Sequence, residues 1–277
     1  MKKILLAAAA IFAAIVMVNA QGKFETVELK NSTLHVYYSN DVMADASYIV
    51  EGKDALVVLE APLFKSALAE FDSYIKKLGK PVASAIVDYH LGGQESQAIV
   101  MPQGMHKFTN EGVYAAMMSG FKQSFGDTMV ELAEGEVSEV PFGQTVKLAG
   151  IDFRFDRGPA NDFPGSMILI DGTACLMHWA PAQAHMNTLQ ISSPEAVAQA
   201  IDGLVAASES GAKVWLGSHG GVADKEALNF RIGYLRKIQE LLAGKPDAKT
   251  FSAQLKAAYP NLAGEEGVDA LAEALCK

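Results

Sequence analysis

The sequence predicts a layered α/β protein. Two observations carry this: strand–helix–strand crossovers recur in both halves of the chain, and the strands between them are short apolar runs closed by Gly, Pro or Asp. A third is negative: no repeat period, low-complexity segment or interdomain linker interrupts the pattern, so residues 21–277 read as one domain with a sizeable core.

The elements follow in order. Residues 1–20 stand apart from the fold. Lys2 and Lys3 precede an apolar run from Ile4 to Val18, and Val18-Asn19-Ala20 fits a small-residue cleavage site. The expectation is a signal peptide cut after Ala20 and a mature protein in the periplasm or outside the cell; an uncleaved anchor is the alternative reading of the same run. No second hydrophobic span follows, so no stable membrane span is expected after cleavage.

Leu34, Val36 and Tyr38 alternate along a strand over 33–38. Ser47-Tyr48-Ile49-Val50 and Ala55-Leu56-Val57-Val58-Leu59 flank Glu51-Gly52-Lys53-Asp54, a hairpin with a Gly-containing turn. Pro62 opens a helix with Leu63, Leu68, Phe71, Ile75 and Leu78 on one stripe, stopped by Gly79 and Pro81. The strand beginning at Val82 leads into Asp88-Tyr89-His90-Leu91-Gly92-Gly93. A helical segment over 111–125 and an acidic stretch over 131–139 come next, then short strands near 137–142, 145–148 and 151–155. Runs at 167–170 and 174–178 form a strand pair around Asp171-Gly172, and the second run ends in His178. Ser193 caps a helix with Pro194 at its first position. Val214-Trp215-Leu216 leads into Gly217-Ser218-His219-Gly220-Gly221, and Asp224 caps a long helix. Two short helices separated by Pro260 end the chain.

Composition excludes some partners. Without Lys2 and Lys3, the 23 basic residues become 21 against 32 acidic ones, a net charge of −11. No basic stripe interleaves with aromatics, so nucleic acid is not an expected partner. Cys175 lies in an apolar strand and Cys276 near the chain end; two cysteines define no disulfide framework.

Three histidines close three strands, and glycines after two of them let the backbone turn sharply. In this order and spacing the chain resembles the metallo-β-lactamase superfamily. The resemblance rests on Ala55-Leu56-Val57-Val58-Leu59-Glu60, an apolar strand ending in an acid, and on the strand end before Gly92-Gly93. It also rests on Asn161-Asp162-Phe163-Pro164-Gly165-Ser166, similar to a Gly-His-Thr-Pro-Gly-Ser turn, and on Gly217-Ser218-His219-Gly220 before the last long helix. It implies a four-layer αβ/βα sandwich, two mixed β-sheets flanked by helices.

The departures from the family pattern are equally specific. Its His-x-His-x-Asp-His motif falls on Ala85, Val87, Tyr89 and His90, so the first metal site has lost both leading histidines. Asp162 stands where a third histidine is expected, and His178 where the bridging Asp is expected; His219 matches. The resemblance therefore implies one zinc, or another transition metal, on His90, His178 and His219, with Asp88, Tyr89 and Asp162 as further site residues. Glu60, Gly92 and Gly93 would support the loop. Three imidazoles and an open position suit a catalytic zinc. The function expected is a metal-dependent hydrolase with a remodelled single-metal centre, acting on a small molecule. The alternatives are a ligand-binding or sensing protein that has lost its metals and, less favoured, a three-histidine iron or copper redox site. β-Lactamase activity itself is not supported.

Overall fold

The structure is a computed structural model that describes residues 22–90, 98–130, 135–159 and 165–277. Residues 1–20, Gly92, Gly93 and Asp162 lie outside the described residues.

The first sheet has seven strands in the order β1-β2-β3-β4-β5-β6-β7. β1 (Lys23–Glu28), β2 (Thr33–Tyr38), β3 (Ala46–Glu51) and β4 (Leu56–Leu59) form an antiparallel meander. α1 (Lys65–Leu78) then carries the chain to β5 (Val82–Ile86), parallel to β4. β6 (Ile99–Pro102) and β7 (Val137–Val140) extend the sheet in parallel, with α2 (Met105–Asn110) and α3 (Gly112–Phe125) between them. The second sheet has six strands in the order β13-β12-β11-β10-β9-β8. They are β8 (Gln144–Leu148), β9 (Ile151–Arg157), β10 (Ser166–Ile170), β11 (Ala174–Trp179), β12 (Val214–His219) and β13 (Gly221–Ala223). β11 and β12 are parallel neighbours joined through α4 (Pro194–Glu209). After β13 come α5 (Lys225–Ala243), α6 (Ala248–Ala258) and α7 (Val268–Leu275).

Alternation along the strands assigns the layers. Leu34, Val36, Tyr48, Val50 and Val57 of the first sheet meet Phe153, Phe155, Ile168, Ile170 and Leu216 of the second in one buried cluster. The opposite faces are covered by helices. Ile49, Leu56 and Val58 pack with Phe71 of α1, and Cys175, Met177 and Trp215 pack with Leu204 of α4 and Leu228, Ile232 and Leu235 of α5. This is the four-layer αβ/βα sandwich, built by the described residues.

Local signals hold at several elements. Ser193 Oγ accepts from Ala196 N at 3.1 Å and Asp224 Oδ1 from Ala227 N at 2.9 Å, capping α4 and α5. At the β10–β11 turn Asp171 and Gly172 both have positive φ, 51° and 63°, the conformation of a type I′ hairpin. The Asp171 carboxylate also accepts from Asn31 N at 2.5 Å, Asn31 Nδ2 at 2.8 Å and Ser32 Oγ at 3.1 Å, tying the β1–β2 turn to the second sheet.

Other expectations change. α1 begins at Lys65 rather than Pro62, because Phe64 is extended (φ −104°, ψ 137°) and bridges Met129 while the Leu63 carbonyl accepts from Val130 N. β7 ends at Val140, since Pro141 has no N–H to continue the ladder. β1, β6, β13 and α2 were not anticipated: β1 is a charged, largely exposed edge strand, and the others are too short to show a period. Cys175 and Cys276 are free thiols.

Candidate metal centre

The three histidines lie at three strand ends on one edge of the sandwich. His178 and His219 close the parallel strands β11 and β12, whose register pairs Trp179 with His219. The Ala180 N–H donates to the His219 carbonyl at 3.0 Å, extending the ladder one step past the site. Gly217 permits this close approach, because a Cβ there would lie 2.1 Å from Ala180 N. Across the sheet interface, the Tyr48 hydroxyl donates to the carbonyls of Gly217 (2.7 Å) and Gly221 (3.1 Å) and accepts from Gly217 N (3.2 Å). One buried phenol thus bolts β3 to the strand end that carries His219.

His90 is held differently. Beyond β5 the chain leaves the ladder, and the Glu60 carboxylate takes over its backbone donors. It accepts from the N–H groups of Asp88 (2.5 Å), Tyr89 (3.3 Å) and His90 (3.2 Å) and from Ser218 Oγ (2.8 Å). Glu60 is fully buried, with φ 53°. It joins the His90 segment to the strand of His219 through Ser218.

The rings converge. Centroids of His90 and His219 are 5.0 Å apart, those of His178 and His219 4.8 Å, and those of His90 and His178 5.8 Å. One nitrogen from each lies within 4.8 Å of the others. Nitrogens bound tetrahedrally at 2.0–2.1 Å from one zinc lie about 3.4 Å apart, a spacing inside that bound. Nδ1 of His90 and of His178 are both buried without a hydrogen-bond partner among the described residues. Burial first, then the neighbouring His219 and His90, holds His178 well below the usual imidazole pKa. It is neutral near pH 7, with a lone pair available to a metal. The residues present fit one transition-metal ion.

Asp45, which no motif marks, supports the third ligand. His219 Nδ1 lies 3.1 Å from the Met43 carbonyl oxygen and 3.1 Å from Asp45 Oδ1. The Met43 carbonyl can only accept, which makes Nδ1 the protonated nitrogen, with the Asp45 carboxylate close beside it as a charge partner, and leaves Nε2 as the metal-facing nitrogen. Asp45 is buried, which opposes its charge, yet His90 and His219 outweigh burial and hold its carboxyl below the ordinary value. Asp45 was missed because it sits in the β2–β3 loop, far along the chain from His219, with no motif around it.

The other candidates fall into place around this group. Tyr89 is buried, its ring 4.1 Å from that of His178 and its carbonyl accepting from the Tyr114 hydroxyl. Trp179 stacks on His219 at 4.4 Å. Asp88 is fully buried, and burial together with the nearby Glu60 pushes its carboxyl well above the usual range. Neither of its carboxyl oxygens has a hydrogen-bond partner among the described residues, the cluster's ring nitrogens included. Ala85 and Val87 are buried, Val87 in an apolar cluster with Tyr89, Met101 and Tyr114, so these two positions offer no ligand. His35 bonds Tyr74 and Glu51, His185 bonds Tyr234, and His106 is exposed, all away from the cluster.

No protein-family profile matches the sequence, and no curated protein matches it significantly. Solved structures do match. A double mutant of the sec-alkyl sulfatase PisA1 is similar over 92% of this chain at 15% identity, TM-score 0.62. The chain spans 50% of that protein's length. The DIM-1 metallo-β-lactamase is similar over 79% of this chain and 98% of its own, at 12% identity and TM-score 0.52. A mutant flavo di-iron protein from Thermotoga maritima is similar over 92% of this chain and 77% of its own, at 13% identity and TM-score 0.52. The chain has the metallo-β-lactamase fold. At these identities the likeness fixes the architecture, and the chemistry must be argued from the site.

Proposed function

We propose that this protein is a metal-dependent hydrolase with a single-metal centre on His90, His178 and His219, acting on a small molecule. The observation that carries the reading is the convergence of three imidazole nitrogens from three strand ends within 4.8 Å. Zinc is the metal that best suits three imidazoles with an open position. When bound, it supplies Lewis acidity and an activated water for attack on an ester, amide, lactone or phosphoester. The chain's own residues do the rest. Met43 and Asp45 orient His219, burial keeps His178 unprotonated, and the rings of Tyr89 and Trp179 wall the centre.

Elemental analysis of protein purified without added metal tests this reading. About one equivalent of a transition metal is expected, with His178→Ala and His219→Ala each weakening its retention; no metal and no uptake on titration would sink it. A second reading, ligand binding without catalysis, draws on buried Ala85 and Val87 at the positions that usually carry ligands. Metal-loaded protein inert toward a panel of esters, lactones and phosphoesters would favour it. Export belongs to the same proposal: the mature chain starts at Gln21, as intact-mass measurement of protein from the producing cell would read.

A further inference from the structure

Behind His178, on the helix-covered face of the second sheet, lies a cavity of about 50 Å³. Met177, His178 and Trp179 of β11 line one side, Arg231 of α5 another, and Tyr89 and Gln190 contribute to its wall. Arg231 is only 4% exposed, yet it forms no ion pair among the described residues and its Nη1 has no hydrogen-bond partner there. Among the described residues its guanidinium meets a Tyr234 face 5.7 Å away. Burial lowers its pKa to about 10, which leaves it charged at neutral pH. Trp179 also lines this cavity, and its Nε1, a donor only, is buried with no partner among the described residues.

A buried, unpaired charge is strongly unfavourable, and an unmet donor beside it adds to the cost. Both are accommodated at once by an acceptor that enters from outside. We infer that this cavity is an anion subsite in which Arg231 and Trp179 receive a compact oxyanion head group of the substrate, a carboxylate or a sulfuryl or phosphoryl group. The planar guanidinium fork matches such groups in a bidentate fashion. The cavity shares His178 and Tyr89 with the candidate metal centre, so an anchored head group leaves the adjoining part of the molecule beside the histidines. The inference rests on the hydrolase reading for its substrate, and it adds that the substrate is an anion.

Its test is independent of the metal. Wild-type protein and Arg231→Met are titrated by calorimetry and thermal unfolding with sodium sulfate, phosphate and acetate, against sodium chloride at equal ionic strength. Both are studied as purified and after chelation, with metal content measured in each sample. Wild type should show saturable binding of at least one oxyanion. Arg231→Met should bind it about 10- to 100-fold more weakly, the scale of a lost charged hydrogen bond, and unfold in chloride at the same or a higher temperature. Preference for acetate identifies a carboxylate head group, and preference for sulfate or phosphate a tetrahedral one. Should Arg231→Met not fold, Arg231→Lys, which keeps charge and loses the fork, should show the weakened binding. His219→Ala should retain the Arg231-dependent binding. No saturable binding by wild type, or equal binding by the Arg231 variants, overturns the subsite; normal metal content in that case leaves the centre standing.

Discussion

Glu60→Gln removes one oxygen from the group that holds His90 in place. The wild-type carboxylate accepts the N–H groups of Asp88, Tyr89 and His90 and the hydroxyl of Ser218. Glutamine brings one acceptor and one donor. Its least costly orientation keeps the oxygen on Asp88 N and turns the amide NH₂ to Ser218, whose hydroxyl rotates to accept. The His90 N–H then faces a donor and is left unsatisfied in a buried site, a cost of about 1–3 kcal/mol. The surviving bonds lose charge assistance, about 1 kcal/mol more. The expected loss is therefore about 2–4 kcal/mol, read as a lower urea midpoint with unchanged m-value. Ser218→Ala should cost about 1 kcal/mol alone and at least as much in the Glu60→Gln background, where it strips the buried amide NH₂ of its acceptor. A loss below about 0.5 kcal/mol for Glu60→Gln would refute the claim that this carboxylate organises the strand end.

Tyr48→Phe should cost about 1–3 kcal/mol in the same urea assay, since it strips partners from the buried Gly217 and Gly221 backbone at the sheet interface. Asp45→Asn should keep the fold but weaken metal retention by about 10- to 100-fold, measured by competition with a chromophoric chelator; its role is to orient His219. Burial and the nearby Asp156 raise the Cys175 thiol pKa, so native protein should show only Cys276 reacting with a thiol reagent at pH 8, and both thiols after denaturation.

What could be read from the sequence was local or carried by spacing. The Asp171-Gly172 turn, the Ser193 and Asp224 caps and the β3–β4 hairpin each announce themselves within a few residues, and each forms. The three strand-end histidines were found because their spacing follows a known pattern. Asp45 and the Tyr48 bolt were not, because both act through contacts between segments far apart in sequence, with no periodicity to betray them. Arg231 did leave a signal. It lies three residues after Leu228 and four before Leu235, on the buried stripe of α5, where a charge has to find a partner.

The buried charges around the centre favour a cation there over an empty cluster. Three buried carboxyls stand close by, and their environments give them different states. Glu60 is satisfied by backbone donors, burial pushes the Asp88 carboxyl well above its ordinary range, and Asp45 stays ionised on the strength of the imidazoles beside it. Asp45 is thus a negative charge whose stabilisation grows when positive charge is placed on the histidine cluster, whether as protons or as a metal. His178 is too strongly desolvated to take the proton near pH 7. A metal can supply that charge through the lone pairs of all three rings, with the Asp45 carboxylate offsetting part of it through His219. Arg231 lies beyond this balance, on the far side of His178, and a second negative charge is needed to satisfy it. A substrate that carries its own anionic group supplies that charge without competing for the carboxylate that serves the centre.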